Sequence, residues 1–153
     1  MAPPITESEL LACCGSRAWT KRMMELQPFD GAADLLEAAD RVWWELERSD
    51  WLEAFAAHPR IGERSADKRA AEEQSGVGGA HEETLECLAA GNRAYEARFG
   101  YIYIVCASGK SAEQMLELLE PRLHNDPEDE IRVAAEEQAR ITRLRLRKWL
   151  EAR

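Results

Sequence analysis

Apolar residues recur every three or four positions along most of this chain, which is the spacing of helices that bury one face. Polar capping residues stand before several of these segments, and proline or glycine stands after them. Ser16 and Asp50 are the predicted N-caps of the second and fourth helices. We therefore expect an all-α fold, a single-domain multi-helix bundle over residues 1–153. The predicted helices cover residues 7–14, 19–26, 31–47, 51–57, 65–74, 82–98, 111–123 and 127–150.

Residues 101–106, with the sequence Tyr-Ile-Tyr-Ile-Val-Cys, break the helical pattern because their composition favours a strand. No second strand is predicted that could pair with them, and an isolated strand is not stable. We expect an extended, buried connection whose backbone N–H and C=O groups need other partners. A bound ligand is one candidate for such a partner.

The last predicted helix carries acidic residues in its first turn and basic residues in its last, which suits the helix dipole. At 100° per residue Arg145 falls in the middle of the apolar face, whereas Arg140, Arg143 and Arg147 fall on the opposite face. A buried arginine must be paired. Two partners for Arg145 remain possible, a glutamate in the core or the carboxylate of a ligand. The apolar face comprises Ile131, Ala134, Ala135, Gln138, Ile141 and Trp149.

A single histidine stands in a turn that follows the fourth helix, in the sequence Ala57-His58-Pro59-Arg60-Ile61-Gly62-Glu63. The proline and glycine stiffen this turn and keep the imidazole off a helix face. Imidazole exchanges protons near neutral pH, and the Glu73-Gln74 pair that follows offers a carboxylate to orient it. The alternative is that His58 only caps the preceding helix.

The composition of the chain argues against several classes of function. The net charge of −9 argues against binding to nucleic acid or to an anionic membrane. The four cysteines form no Cys-x-x-Cys pair, so a structural metal is not expected. The chain holds neither a run of eighteen apolar residues nor a signal-peptide pattern at its start, which makes the cytoplasm the expected compartment. The glycine-rich stretch 75–80 lacks the lysine and serine of a phosphate-binding loop.

Taken in order, these features resemble the 2-oxo-4-hydroxy-4-carboxy-5-ureidoimidazoline (OHCU) decarboxylases, helical enzymes of urate breakdown. Each matching piece is a weak signal, and the ordered set over nearly the whole chain is a strong one. The pieces are Cys13-Cys14-Gly15-Ser16 with Trp19 and Met23, Pro28-Phe29, residues 51–55, residues 58–62, Glu73-Gln74, residues 92–95 before Phe99-Gly100, Asn125 with Glu130, and Arg145-Leu146.

The resemblance implies a cofactor-independent carboxy-lyase, often a homodimer, that converts OHCU into (S)-allantoin and carbon dioxide. Its pathway neighbours would be urate oxidase and hydroxyisourate hydrolase. Carried over by position, it implies three catalytic residues and a set of substrate-binding residues. The catalytic residues are His58, Glu73 and Arg145, and the binding residues are Pro59, Gln74, Tyr103, Ile104, Val105 and Cys106.

One position departs from the family pattern. Many members carry a serine three residues before the Glu-Gln pair, where this chain has Ala70. Loss of that hydroxyl would remove one hydrogen bond to the substrate. This departure suggests one alternative, a decarboxylase or lyase for a related ureido or imidazolone acid. A second alternative stays open independently of Ala70, a helical scaffold without catalytic activity in which His58, Glu73 and Arg145 are structural.

Overall fold

The computed structural model of the chain describes residues 3–61 and 82–153, and over these residues the fold is all-α. They contain seven helices and no strand. This confirms the predicted fold class. The predicted helix 65–74 and the glycine-rich stretch 75–80 lie outside the described residues. The helices are α1 (Glu7–Cys13), α2 (Arg17–Leu26), α3 (Ala32–Trp44), α4 (Arg48–Ala56), α5 (Glu82–Phe99), α6 (Ala112–Arg122) and α7 (Pro127–Glu151).

Side-chain caps set several helix starts. The Ser16 hydroxyl accepts a hydrogen bond from the Trp19 N–H, which confirms it as the cap of α2. Ser111 caps α6 with Gln114 as the reciprocal partner.

The predicted boundary between α3 and α4 is wrong. Helix α3 ends at Trp44 instead of residue 47, and α4 begins at Arg48 instead of residue 51. Glu47 takes the N-cap position, and Asp50 lies inside the first turn, where its carboxylate accepts from the Glu47 N–H at 3.2 Å. The physical reason is that both carboxylates can serve a capping box, so the sequence pattern alone does not place the cap.

The chain divides into two compact units. The first contains residues 1–57 and 136–153, and therefore α1 to α4 and the C-terminal part of α7. Its core contains Leu10, Trp19, Met23 and Phe55, all completely buried. The Trp19 indole N–H donates to the Ala39 carbonyl at 3.0 Å, so this buried polar group is satisfied.

The second unit contains residues 58–135, with α5, α6 and the N-terminal part of α7. Gly100 ends α5 with a φ of 85°, a conformation that glycine adopts without a Cβ penalty, and the chain then enters the extended segment. The core of this unit joins the segment to α5 and α6. Its members are Leu88, Tyr95, Tyr103, Val105, Ala107, Ala112, Met115 and Leu119.

Helix α7 has the two faces that the sequence predicts. Arg145 is buried, whereas Arg140, Arg143 and Arg147 are exposed. Among the described residues, no helix is long and apolar enough to cross a membrane.

Candidate functional site

His58 lies directly after the end of α4, in the turn that the sequence predicts. Ala57 occupies the C-cap position of this helix, and His58 follows it. Both His58 and Pro59 are half-buried. The imidazole is therefore neither packed in the core nor fully solvated.

Helix α5 holds the residues that follow His58. The Arg60 guanidinium donates to both carboxylate oxygens of Glu96, at 2.9 and 2.8 Å. One helical turn away, the Asn92 amide donates to the Ile61 carbonyl at 3.2 Å. The hydrogen bond from Arg60 is the main cause that lowers the pKa of Glu96, which stays ionised and keeps the pair formed. The turn is thus anchored at two points just after the histidine.

Asn92 is a buried polar residue of α5, and its side chain needs hydrogen-bond partners. Its side chain is 5% exposed, and its N–H group is satisfied by Ile61. Its Oδ1 atom is buried and has no hydrogen-bond partner within residues 3–61 and 82–153.

Residues 101–107 form the extended, buried connection that the sequence predicts, and Tyr103, Ile104, Val105 and Cys106 are each at most 6% exposed. Two cationic side chains use its carbonyls. Lys110 Nζ donates to the Cys106 carbonyl at 2.8 Å, and Arg122 donates to the Ile104 carbonyl at 2.7 Å. Protein side chains therefore satisfy part of the backbone that we expected to need partners.

A buried ion pair lies beside this segment. Arg122, at the end of α6, is 8% exposed, and Glu130, in the first turn of α7, is completely buried. Arg122 Nε and Nη2 both donate to Glu130 Oε2, at 2.8 and 2.6 Å. The other oxygen, Oε1, accepts from the Asn125 amide at 3.0 Å, and the Tyr95 hydroxyl donates to Oε2. This set of mutual bonds makes the burial of two charges tolerable.

The electrostatics of this cluster follow from its burial. Burial is the largest cause that raises the pKa of the Tyr95 hydroxyl, and the hydrogen bond to Glu130 and that carboxylate's charge add to it. Tyr95 therefore remains a neutral donor. For Arg122, burial opposes the charge, but the hydrogen bond to Glu130 and the negative charge of that carboxylate outweigh it and raise the pKa.

Sequence reasoning missed the role of this cluster. The sequence pattern places Glu130 only in the acidic first turn of the last helix and among the family-matching residues, and it assigns no role to Arg122. A signal was present, because Arg122 lies three residues after Leu119 and seven after Met115, on the buried face of α6. Glu130 likewise lies four residues before Ala134 on the buried face of α7.

Arg145 belongs to the first unit and points inward as predicted. It is 9% exposed, and its Nη1 donates to the Ala12 carbonyl at 3.2 Å. Burial raises the pKa of the neighbouring Cys14 thiol to about 12, although the Arg145 charge acts in the opposite direction. Cys14 is therefore a neutral core thiol.

The predicted site residues are distributed as follows. His58, Pro59 and the segment from Tyr103 to Cys106 belong to the second unit, and Arg145 belongs to the first. Glu73, Gln74 and Ala70 lie outside the described residues. Within the described residues, no three histidine, cysteine, aspartate or glutamate side chains are placed to hold a metal ion.

Comparison with known proteins decides the family. A family model described as OHCU decarboxylase matches residues 2–147. The chain belongs to the OHCU decarboxylase family. It is also similar to a crystal structure described as OHCU decarboxylase in the presence of (S)-allantoin, with 35% identity, a TM-score of 0.87, and coverage of 95% of this chain and 99% of that chain. A second structure, described as (S)-allantoin synthase, shares the fold at 20% identity and a TM-score of 0.72.

Two curated relatives of the family show how much of each protein is shared. The uric acid degradation bifunctional protein TTL of Arabidopsis thaliana is 36% identical over 97% of this chain and 48% of its own length. The 2-oxo-4-hydroxy-4-carboxy-5-ureidoimidazoline decarboxylase of Haloferax volcanii is 26% identical over 82% of this chain and 77% of its own length. The chain thus spans about half the length of the bifunctional plant protein.

Proposed function

We propose that this chain decarboxylates OHCU to (S)-allantoin and carbon dioxide as a step of urate breakdown, and that residues 1–153 act as one functional domain. The observation that carries the proposal is the likeness to the OHCU decarboxylase structure determined in the presence of (S)-allantoin, which extends over 95% of this chain at 35% identity. The family match over residues 2–147 supports it.

The chemistry of the substrate makes the reaction feasible without a cofactor. The reacting carbon of OHCU carries a hydroxyl and a carboxylate and lies next to a ring C=N bond. When the bond to the carboxylate breaks, carbon dioxide leaves, its electron pair forms a C=C bond to the neighbouring ring carbon, and the C=N electrons move to the nitrogen, which takes up a proton. The hydroxyl then loses its proton and becomes a carbonyl, while a proton is delivered to one face of the neighbouring ring carbon, which bears the ureido group; this delivery sets the (S) configuration. The protein has to orient the substrate and move protons.

In this proposal His58 performs the proton transfers. It removes or holds the hydroxyl proton while charge develops, and it returns a proton to the ring carbon. Glu73 orients His58 or the hydroxyl and accepts from the N–H groups of the substrate, and Gln74 binds the ureido amide. Pro59 shapes the turn beside the substrate. The anchoring of this turn on α5 supports the assignment, because proton transfer requires an imidazole held within hydrogen-bond reach.

The remaining contacts are assigned to Arg145 and to the backbone from Tyr103 to Cys106. An arginine that gripped the departing carboxylate tightly would stabilise the ground state and oppose decarboxylation. We therefore assign Arg145 to the positioning of a substrate oxygen. Replacement by lysine separates the roles, because a rise in KM alone indicates uniform binding and a fall in kcat indicates a role in the transition state.

The proposal also places the enzyme in the cytoplasm as a homodimer, after the oxidation of urate and the hydrolytic ring opening that supply its substrate. Urate oxidase and hydroxyisourate hydrolase are the enzymes that would perform those two steps. The plant relative, named as a bifunctional protein of uric acid degradation, supports the place in urate breakdown.

The test generates OHCU in place with urate oxidase and hydroxyisourate hydrolase and follows the circular dichroism of allantoin. We expect the wild-type chain to produce the (S)-allantoin signal rapidly, whereas the uncatalysed reaction yields racemic allantoin slowly. His58→Asn should lower turnover at least about 100-fold with the helical signal retained. His124→Asn is the matched control, because that histidine is exposed at the end of α6. A folded wild-type chain that leaves the slow decay unchanged would refute the proposed function.

A further inference from the structure

The peptide between Ile104 and Val105 is held from one side by a buried arginine. Arg122 Nη1 donates to the Ile104 carbonyl at 2.7 Å. This guanidinium also donates hydrogen bonds to Glu130, through Nε and Nη2, and to the Tyr95 hydroxyl at 3.4 Å. The guanidinium is planar and its donors diverge in a fixed fork, so the bonds to Glu130 determine where Nη1 points. The ion pair therefore fixes the direction of the Ile104 carbonyl.

A fixed carbonyl also fixes the N–H group on the other side of the same peptide. The Ile104–Val105 peptide is trans, since the one cis bond among the described residues is Gln27–Pro28. In a planar trans peptide the C=O and N–H groups point in opposite directions. With the carbonyl directed at Arg122, the Val105 N–H is directed away from it. Within residues 3–61 and 82–153, no backbone carbonyl accepts from this N–H group.

We propose that Arg122, oriented by Glu130, is a positioning residue that presents the Val105 N–H as a hydrogen-bond donor to an oxygen of the ureido acid substrate. This inference rests on the proposed function, in which the backbone of this segment binds substrate. It explains why the fold keeps an ion pair in its core beside an extended segment. A neutral apolar pair of similar size would fill the same space, but it would lack the donor to the Ile104 carbonyl.

Three neighbouring features support a positioning role over a purely packing one. The Tyr95 hydroxyl donates to Oε2 of Glu130 and the Asn125 amide donates to Oε1, which restrains the carboxylate. The guanidinium also lies over the Tyr103 ring, at 4.8 Å from its centroid. Arg122 thus contacts the segment at two consecutive residues. Such restraint suits a catalytic site, because a misplacement of about 1 Å can lower the rate of the reaction greatly.

Arg122→Lys tests the inference because lysine keeps the positive charge beside Glu130 but lacks the fork that reaches both Glu130 and Ile104. We expect KM for OHCU to rise about tenfold. In a ¹⁵N-labelled sample, the Val105 amide resonance should move in the ligand-free variant and lose most of the shift that (S)-allantoin causes in the wild type. Glu130→Gln keeps the size of the side chain and should change both readouts in the same direction, by less. Glu130→Gln also tests the inference if Arg122→Lys does not fold.

Ile131→Ala is the control for lost stability alone. Ile131 is buried next to Glu130 in sequence and is not part of the core cluster around the segment. Ile131→Ala should lower the urea midpoint, while KM and the shift of the Val105 resonance stay within about twofold of the wild type. Wild-type values of KM, kcat and the Val105 shift in Arg122→Lys would overturn the inference, as would a wild-type Val105 resonance that ignores (S)-allantoin. If the wild type binds (S)-allantoin through Val105 but produces none, the proposed function fails and the positioning role stands.

Discussion

Removal of one hydroxyl from the buried cluster tests how much the ionised carboxylate contributes to the fold. Tyr95 is completely buried, and its hydroxyl donates to Glu130. In Tyr95→Phe the ring still packs against Phe99 and Tyr103, whose centroids lie 4.7 and 5.5 Å away, so no hydrophobic contact is removed. The change therefore removes a hydrogen bond to a charged acceptor, which stabilises a protein by about 1.5–3 kcal/mol, together with the longer bond of 3.4 Å that the hydroxyl accepts from Arg122.

Tyr103→Phe is the matched control. Tyr103 is 2% exposed, and its hydroxyl donates to the neutral carbonyl of Met115 at 2.9 Å. The same atom is removed from the same core, but a bond to a neutral acceptor contributes about 0.5–1.5 kcal/mol. We therefore expect Tyr95→Phe to lower the free energy of unfolding by about 1 kcal/mol more than Tyr103→Phe does.

Urea unfolding measures this difference and also tests whether the two units unfold together. All five tryptophans lie in the first unit and all three tyrosines in the second. With an m-value of about 2 kcal/mol per molar, Tyr95→Phe should lower the midpoint by about 1 M. If unfolding is cooperative, tryptophan fluorescence and far-ultraviolet circular dichroism should report the same midpoint. Equal losses in the two variants would refute the reasoning, because the charge of Glu130 would then contribute nothing.

Two further predictions concern contacts near the proposed site. Glu96→Gln removes the half-exposed ion pair with Arg60 and should lower the free energy of unfolding by about 0.5–1 kcal/mol at neutral pH. The pKa of Glu96 in the folded state is lowered from 4.5, so this contribution is present above pH 4.5 and disappears as the pH falls through the lowered value. The urea midpoints of variant and wild type should therefore converge in acid. Gly15→Ala would place a Cβ atom 2.5 Å from the Cβ of Ala57, which only a backbone shift can relieve, and it should cost about 1–3 kcal/mol. Gly91→Ala, whose clash is with the flexible end of a leucine side chain, should cost clearly less in the same assay, and equal losses would contradict the argument.

The parts of the fold that depend on long-range periodicity could be predicted from sequence. In α7 the 100° rotation per residue separates the buried Arg145 from the exposed Arg140 and Arg147 over 25 residues, so small local preferences average out. The extended segment was predictable for a different reason, since its composition disfavours a helix and no strand partner is predicted.

Helix boundaries and contacts between side chains of different helices were harder to predict from the sequence. Glu47 and Asp50 both have carboxylates that can cap α4, and the choice between them depends on where α3 ends. The contact between Arg122 and Glu130 joins two helices, and a sequence pattern can place each residue on a buried face without showing that the faces meet. The roles of Glu73 and Gln74 remain predictions, because these residues lie outside the described part of the chain.

Helix α5 supports two elements of the proposed site that belong to the second unit, the turn after His58 and the extended segment. Asn92 and Glu96 hold the residues after His58, and Tyr95 holds Glu130, which orients the arginine on the extended segment. Positions 92, 95 and 96 lie within little more than one helical turn, so a shift of this turn would move both elements together. Gly100 then directs the chain from the end of the same helix into the segment. The proposed mechanism requires the imidazole of His58 and the binding backbone to keep a constant relation, and common support from one helical turn would provide that relation within this unit.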